Sequence, residues 1–156
     1  MKVTFIVIGR TTDSRIAALT EEYRQRLVHY LKFELVTVPE LKNTKSLSEE
    51  QQKAEEGAQL LKQVPPSAEL ILLDERGKEP RSVELADMMQ KKMTAGRDVV
   101  FAIGGPYGFS KAVYDRADAL LSLSRLTFSH QMVRLFFVEQ LYRAMTILRG
   151  EPYHHE

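Results

Sequence analysis

The sequence predicts an α/β fold with a mostly parallel sheet and helices on both of its faces. Five times along the chain, a short run rich in β-branched and aromatic residues precedes a longer run whose apolar residues have helical spacing. Such alternation is typical of parallel strands joined by crossover helices. Neither an internal repeat nor a linker divides the 156 residues, so we expect residues 1–156 to form a single domain.

The first two predicted strands flank an amphipathic helix. Val3–Ile8 and Phe33–Val38 are both dense in Val, Ile, Phe or Leu, as expected of strands. Between residues 16 and 30, apolar residues recur at steps of three and four, which indicates a helix with one apolar face. A polar, helix-prone segment then runs from Ser46 to Val64, and its first residue and Glu49 match a capping box.

Three further strands are predicted in the second half of the chain. The uninterrupted apolar run Leu70–Leu73 indicates a strand that is covered on both faces. Val99–Ile103 and Leu120–Leu123 are the fourth and fifth predicted strands. Ser82 can cap a helix that runs to Thr94, and Ser110 can cap a shorter helix that ends near Ala119.

The last predicted helix, Met132–Arg149, is apolar on nearly all of its faces, including both Phe136 and Phe137. Such a helix must be buried on more than one side. In so small a chain the second side favours a homodimer, and the alternative is a helix buried within one domain. Residues 121–150 contain four arginines and one acidic residue, Glu139, which gives this segment a local charge of +3. Arginine is well suited to binding phosphates.

Composition excludes several classes of protein. The chain has 22 Lys and Arg residues and 21 Asp and Glu residues, a net charge of +1. Binding to a nucleic acid would therefore depend on a local cluster of positive charge or on the shape of the partner. Cysteine is absent, which excludes disulfides, thiolate metal sites and a cysteine nucleophile. The pair His154–His155 has no third ligand nearby, and we expect no metal. The first apolar run is too short to span a membrane, and we expect a cytosolic protein with no membrane partner.

Three loops at the carboxyl ends of predicted strands are candidates for a ligand site, because ligands of parallel sheets bind at that edge. The third strand leads into Asp74–Gly77, and Asp74 and Glu75 are possible acid or base groups. The fourth leads into Gly104–Gly108, which holds three of the eight glycines and serves either a close ligand or a tight turn. This loop lacks the pattern of a phosphate loop, which argues against an ATP or dinucleotide site. The fifth leads into Leu123–Phe128, which is apolar and rich in hydroxyls.

From Leu73 onward, the chain contains in order IGG, LSRLTF, HQMVR, LYRA and a terminal PYH. In this order and spacing, the motifs resemble the RlmH family, small SPOUT-class enzymes that methylate N3 of a pseudouridine in 23S ribosomal RNA. The resemblance covers the whole chain and is densest from Leu70 to the end. It implies S-adenosylmethionine as methyl donor, ribosomal RNA in the ribosome as substrate, a homodimer that completes the site and a C-terminal trefoil knot.

The resemblance also implies roles for individual residues. By this resemblance, the donor pocket of the family corresponds to Leu73, Gly104, Leu123, Ser124, Arg125, Leu126, Thr127 and Phe128. Its catalytic candidates correspond to His130, Arg134 and His154, and its RNA contacts to Arg134, Tyr153 and His154. The chain departs from the family pattern at Tyr107, Ser129 and His155, where the family usually has a polar residue such as Glu or Asn, proline, and Lys or Arg, respectively.

The chemistry of N3 methylation leaves alternatives open at this point. The acceptor nitrogen carries a proton that either His130 or His154 could accept, and Arg134 could stabilise negative charge on the uracil oxygens. We expect the six-residue tail after Gly150 to be loose in the free protein. Two other functions remain in view: a transfer-RNA methyltransferase of the same class, and a ribosome-associated binding factor without activity.

Overall fold

The computed structural model describes all 156 residues, along which five strands and five α-helices are arranged. The strands are β1 (Lys2–Ile8), β2 (Lys32–Val38), β3 (Glu69–Lys78), β4 (Val99–Ala102) and β5 (Ala119–Leu121). The helices are α1 (Ser14–Leu27), α2 (Glu49–Lys62), α3 (Ser82–Ala95), α4 (Lys111–Arg116) and α5 (Met132–Leu148). No helix combines the length and the apolar character needed to cross a membrane.

The five strands form one sheet in the order β2-β1-β4-β3-β5, and every neighbouring pair is parallel. The prediction of an α/β fold with a parallel sheet is therefore confirmed. Because all strands run the same way, their carboxyl ends meet at a single edge of the sheet. This edge brings together the bulged end of β3 and the loops that follow β4 and β5, although Asp74 and Gly104 are 30 positions apart in the chain.

Helices cover both faces of the sheet, as predicted. Side chains alternate along β1, so that Phe5 packs on the face covered by α1, α3 and α5, whereas Ile6 packs on the face covered by α2 and α4. Phe137 of α5 lies in the centre of the first face, with ring centroids 4.7 Å from Phe5 and 4.8 Å from Phe101. The apolar character of α5 is thus explained largely by packing within one chain, the alternative to a dimer contact.

Two helix starts differ from the prediction. The chain has two overlapping Ser-x-x-Glu/Gln patterns before α2, and it uses the second: the Ser48 hydroxyl accepts from the N–H of Gln51 (3.1 Å), and the Gln51 amide oxygen accepts from the N–H of Ser48 (2.8 Å). Ser46 instead ends a 3₁₀ turn. Ser82 is the first residue of α3 rather than its cap, because Glu84 accepts from the N–H of Arg81 (2.7 Å).

Strand β3 is longer than predicted, and β5 is shorter. Leu73 and Lys78 both pair with Leu121 of β5, so residues 74–77 project from the sheet at its carboxyl edge. Gly77 is required for this excursion, because a Cβ atom there would lie 2.5 Å from the backbone nitrogen of Leu121. The chain leaves β5 after Leu121, which frees Leu123 from the sheet. The shorter β5 adds Ser122 and Leu123 to the loop at the carboxyl edge.

Candidate functional site

A cleft of about 600 Å³ opens at the carboxyl edge of the sheet, beyond β3, β4 and β5. Its size falls within the range of pockets that hold small-molecule ligands. Seven of the eight residues that we expected to bind a methyl donor line it: Leu73, Gly104, Leu123, Ser124, Leu126, Thr127 and Phe128. The eighth, Arg125, does not line the cleft, since its side chain is 91% exposed and lies 3.2 Å from the carboxylate of Glu79.

The loop after β4 forms one wall of the cleft from backbone atoms. A Cβ atom at Gly104 would lie 2.9 Å from the carbonyl carbon of Gly108, closer than side chains approach a backbone. Gly108 has a φ of +82°, a conformation that favours glycine, and its N–H donates to the carbonyl oxygen of Gly105 (3.1 Å). The loop is therefore a tight turn, one of the two alternatives that the sequence left open, and the close approach of a ligand stays a prediction.

The loop after β5 is held by its own hydroxyl groups. The hydroxyl of Ser122 donates to the carbonyl oxygen of Ser124 (3.0 Å), and the hydroxyl of Ser124 accepts from the N–H of Leu126 (2.9 Å). Leu126 is 76% exposed at the cleft, and the ring of Phe128 packs on Phe136 with centroids 5.3 Å apart. This side of the cleft is apolar and accessible.

Asp74, which the sequence indicated only as a possible acid or base group, also lines the cleft. Asp74 is hydrogen bonded by the hydroxyl of Tyr114 and by the N–H of Arg76 (2.8 Å), and its side chain is 9% exposed. Burial opposes ionisation, but the hydrogen bonds from Arg76 and Tyr114 outweigh it and lower the pKa of Asp74. Burial and the bond to Asp74 raise the pKa of Tyr114. No sequence pattern links Tyr114 to Asp74, so sequence reasoning missed this partner.

His130 is the predicted catalytic residue that lies on the cleft. Its side chain is exposed beside Val133 and precedes the first turn of α5. Ser129 supports this turn, because its hydroxyl accepts from the N–H of Met132 (3.0 Å). A serine can therefore supply at this position some of the rigidity that proline supplies in the family pattern.

Arg134 lies elsewhere than we expected. It is 2% exposed, and its guanidinium donates to the carbonyl oxygens of Ile8 (2.8 Å), Gly9 (2.8 Å) and His130 (2.9 Å) and to the hydroxyl of Thr11 (3.1 Å). Burial lowers the pKa of Arg134. With its donors engaged inside the chain, this residue does not fit the predicted role of contacting RNA or the uracil oxygens.

The tail packs on α5, and no tail residue lines the cleft of its own chain. The hydroxyl of Tyr153 donates to the carboxylate of Glu139 (2.7 Å), and the guanidinium of Arg143 lies 4.8 Å from the centre of its ring. Burial and the hydrogen bonds with Tyr23 and Glu139 raise the pKa of Tyr153. His154 accepts at Nδ1 from Arg143 (3.2 Å), because a guanidinium can only donate. Within one chain, the predicted catalytic residues therefore fall in separate places.

The structure has no group of three or more His, Asp or Glu side chains that could hold a metal ion. The cleft offers instead a backbone wall, an apolar wall and a charged group of Asp74, Glu75 and Arg76, in which Arg76 pairs with Asp74. Such a lining suits a small organic molecule with an aromatic part and a polar or positively charged part.

Comparisons with known proteins show which family the chain is similar to. The family model described as a predicted SPOUT methyltransferase matches residues 1–154. The chain is 54% identical to the ribosomal RNA large subunit methyltransferase H of Bacteroides thetaiotaomicron and 52% identical to that of Flavobacterium johnsoniae, in both cases over 100% of each chain. It shares its fold, with a TM-score of 0.53 and 17% identity, with the tRNA (m1G37) methyltransferase of Aquifex aeolicus, covering 100% of this chain and 76% of that one.

Proposed function

This chain belongs to the SPOUT methyltransferase family, and we propose that it transfers a methyl group from S-adenosylmethionine to N3 of a pseudouridine in 23S ribosomal RNA. One observation carries the proposal: the cleft at the carboxyl edge collects seven of the eight expected donor-binding residues. Full-length relatives, 52% to 54% identical, are named as methyltransferases of the large-subunit RNA, which supports the choice of substrate. A bacterial-type enzyme that methylates RNA in the ribosome would act in the cytoplasm. The single domain and the trefoil knot stay predictions.

The lining of the cleft fits the proposed donor. Leu73, Leu123 and Phe128 offer apolar contact to an adenine ring, and Gly104 contributes backbone atoms to the lining beside them. The ionised Asp74 can accept hydrogen bonds from the ribose hydroxyls or the ammonium group. When bound, S-adenosylmethionine supplies a methyl group that is activated by its positively charged sulfur.

The residues of the chain then serve positioning and proton transfer. A displacement at a methyl carbon depends chiefly on alignment of the two reactants, which a rigid cleft wall provides. The acceptor nitrogen must lose its proton, and we propose that the imidazole of His130, which lines the cleft, accepts it. His154 can accept this proton only if its tail reaches the cleft of another chain.

We propose that a second copy of the chain supplies that tail. Phe137 is buried in the core, so Phe136, which is 40% exposed, is the member of the pair that can contact another copy. It lines an adjoining apolar cleft of about 220 Å³ that shares Leu123 and Phe128 with the donor cleft. A dimer through this surface would lie beside the donor cleft and explain why one chain divides the predicted catalytic residues.

Deletion of Tyr153–Glu156 is expected to lower the rate of methyl transfer by at least about tenfold, about 1.4 kcal/mol of barrier. It removes the hydrogen bond to Glu139, so stability should also fall by about 1 kcal/mol. Mixing the truncated chain with the His130→Ala chain should restore activity, since a mixed dimer then holds one cleft with His130 and the partner's tail. If mixed dimers form, as native mass spectrometry would show, and stay inactive, the shared site is wrong.

The substrate is tested by methyl transfer from labelled S-adenosylmethionine to whole ribosomes, large subunits and transfer RNA that lack the modification. A net charge of +1 predicts weak binding to naked RNA, so we expect label in 23S RNA within assembled particles and a 3-methylpseudouridine product by mass. Label in transfer RNA would favour a transfer-RNA methyltransferase of the same class. Absence of both methyl transfer and donor binding in calorimetry would favour a binding factor.

A further inference from the structure

Arg134 is a buried cation that no carboxylate neutralises by direct contact. Its four hydrogen bonds go to uncharged oxygens, three of them backbone carbonyls. Burying a guanidinium is costly unless its donors are satisfied, and burial lowers the pKa of Arg134. The acidic residue that acts on the Arg134 charge is Glu40, whose carboxylate lies against Gly9 and favours the charged guanidinium through electrostatic attraction. A side chain placed at such cost calls for a function that a neutral residue would not serve.

The four bonds join three separate parts of the chain. Nη1 and Nη2 bind the carbonyl oxygens at the end of β1, Nη1 also binds Thr11 in the turn before α1, and Nε binds the carbonyl oxygen of His130. A second link runs beside them, from the N–H of Thr12 to the amide oxygen of Gln131 (2.7 Å). The segment that leads into α5 is thereby tied to the end of β1 at His130, the residue that carries the exposed imidazole.

We propose that Arg134 is a positioning residue that holds His130 at the rim of the donor cleft by fixing its backbone to β1 and to the turn before α1. This inference rests on the proposed function, in which His130 accepts the proton. Arginine suits the task because its planar fork presents donors in fixed directions, whereas lysine has one nitrogen at the end of a flexible chain. Arg134 does not line the cleft, so its effect on the donor should be indirect and small.

The test compares Arg134→Lys with a matched control, Arg116→Lys. Arg116 also donates to backbone carbonyls, those of Ala68 (2.7 Å) and Pro65 (3.3 Å), but these lie at the amino end of β3, the opposite edge of the sheet. Both substitutions should lower the melting temperature. Only Arg134→Lys should lower the single-turnover rate, by about 100-fold, as expected when a reacting group is misplaced by about an ångström. Donor affinity should be nearly unchanged in both.

Two readouts separate positioning from a general loss of stability. If Arg134 acts through His130, adding Arg134→Lys to His130→Ala should cause little further loss of rate, because the group it positions is already gone. The imidazole NMR signals of His130 should shift or broaden in Arg134→Lys and stay unchanged in Arg116→Lys. Additive losses of rate, or unchanged His130 signals, would overturn the proposal.

Thr11→Val provides a milder variant in case Arg134→Lys does not fold. It removes one acceptor of the guanidinium, and we expect a drop in rate of about tenfold together with a smaller change in the His130 signals. A folded Thr11→Val chain with the wild-type rate and signals would count against the proposal. Failure of the proposed function has a different appearance, since the wild-type chain would then methylate no RNA, while the NMR comparison would still decide whether Arg134 positions His130.

Discussion

Replacing His130 by alanine is expected to lower the single-turnover rate of methyl transfer by at least about 100-fold, the usual contribution of a proton-accepting side chain. His130 is the one predicted catalytic residue that lines the cleft of its own chain, and its imidazole is exposed there. Donor affinity should change little, because apolar and backbone groups form most of the pocket. Rapid-quench measurements with saturating donor and large subunits would give the rate, and calorimetry the affinity.

His29→Ala is a suitable control for this experiment, since His29 is exposed just after α1 and does not line the cleft. It should keep the wild-type rate. His154→Ala completes the comparison, because the acceptor chemistry alone left both histidines open. A fully active His130→Ala chain together with an inactive His154→Ala chain would assign the proton to the tail, and would contradict the proposed role of His130.

Replacing Gly104 by valine is expected to weaken donor binding by at least about 100-fold, about 2.7 kcal/mol. Its Cβ atom would already lie 2.9 Å from the carbonyl carbon of Gly108, so the branched side chain must displace the loop or enter the cleft. Calorimetry with S-adenosylmethionine measures the effect. Unchanged affinity in a folded variant would show that the donor pocket is misassigned.

Gly150→Ala controls for the general effect of a glycine substitution. Gly150 has a φ of +66° and open space around it, so alanine there is strained but remote from the cleft. This variant should bind the donor like the wild type. Should Gly104→Val not fold, Leu126→Asp carries the same test, because Leu126 is 76% exposed and a charge there disturbs the apolar wall but not the core.

The loops of the donor cleft could be predicted from sequence for a simple geometric reason. Gly104–Gly108 and Leu123–Phe128 each follow a β-rich run, and parallel strands place such loops at one edge whatever the details of packing. The limits of β3 could not be predicted, because its end depends on pairing with a distant strand. Leu73 and Lys78 both pair with Leu121 of β5, and residues 74–77 between them leave the sheet. The link between Asp74 and Tyr114 was missed for a similar reason, since it joins residues 40 positions apart.

The sequence by itself determined the order of strands and helices, the parallel sheet and the loops that form the donor cleft, because these follow from local periodicity and from where each strand ends. The tertiary structure decided where Arg134, Phe137 and the tail lie. Spacing of four residues puts His130 and Arg134 on one side of a helix. Whether a side chain there meets the cleft or the core depends on how α5 is rotated against β1, and packing of residues distant in sequence, such as Phe5 on Phe137, sets that rotation.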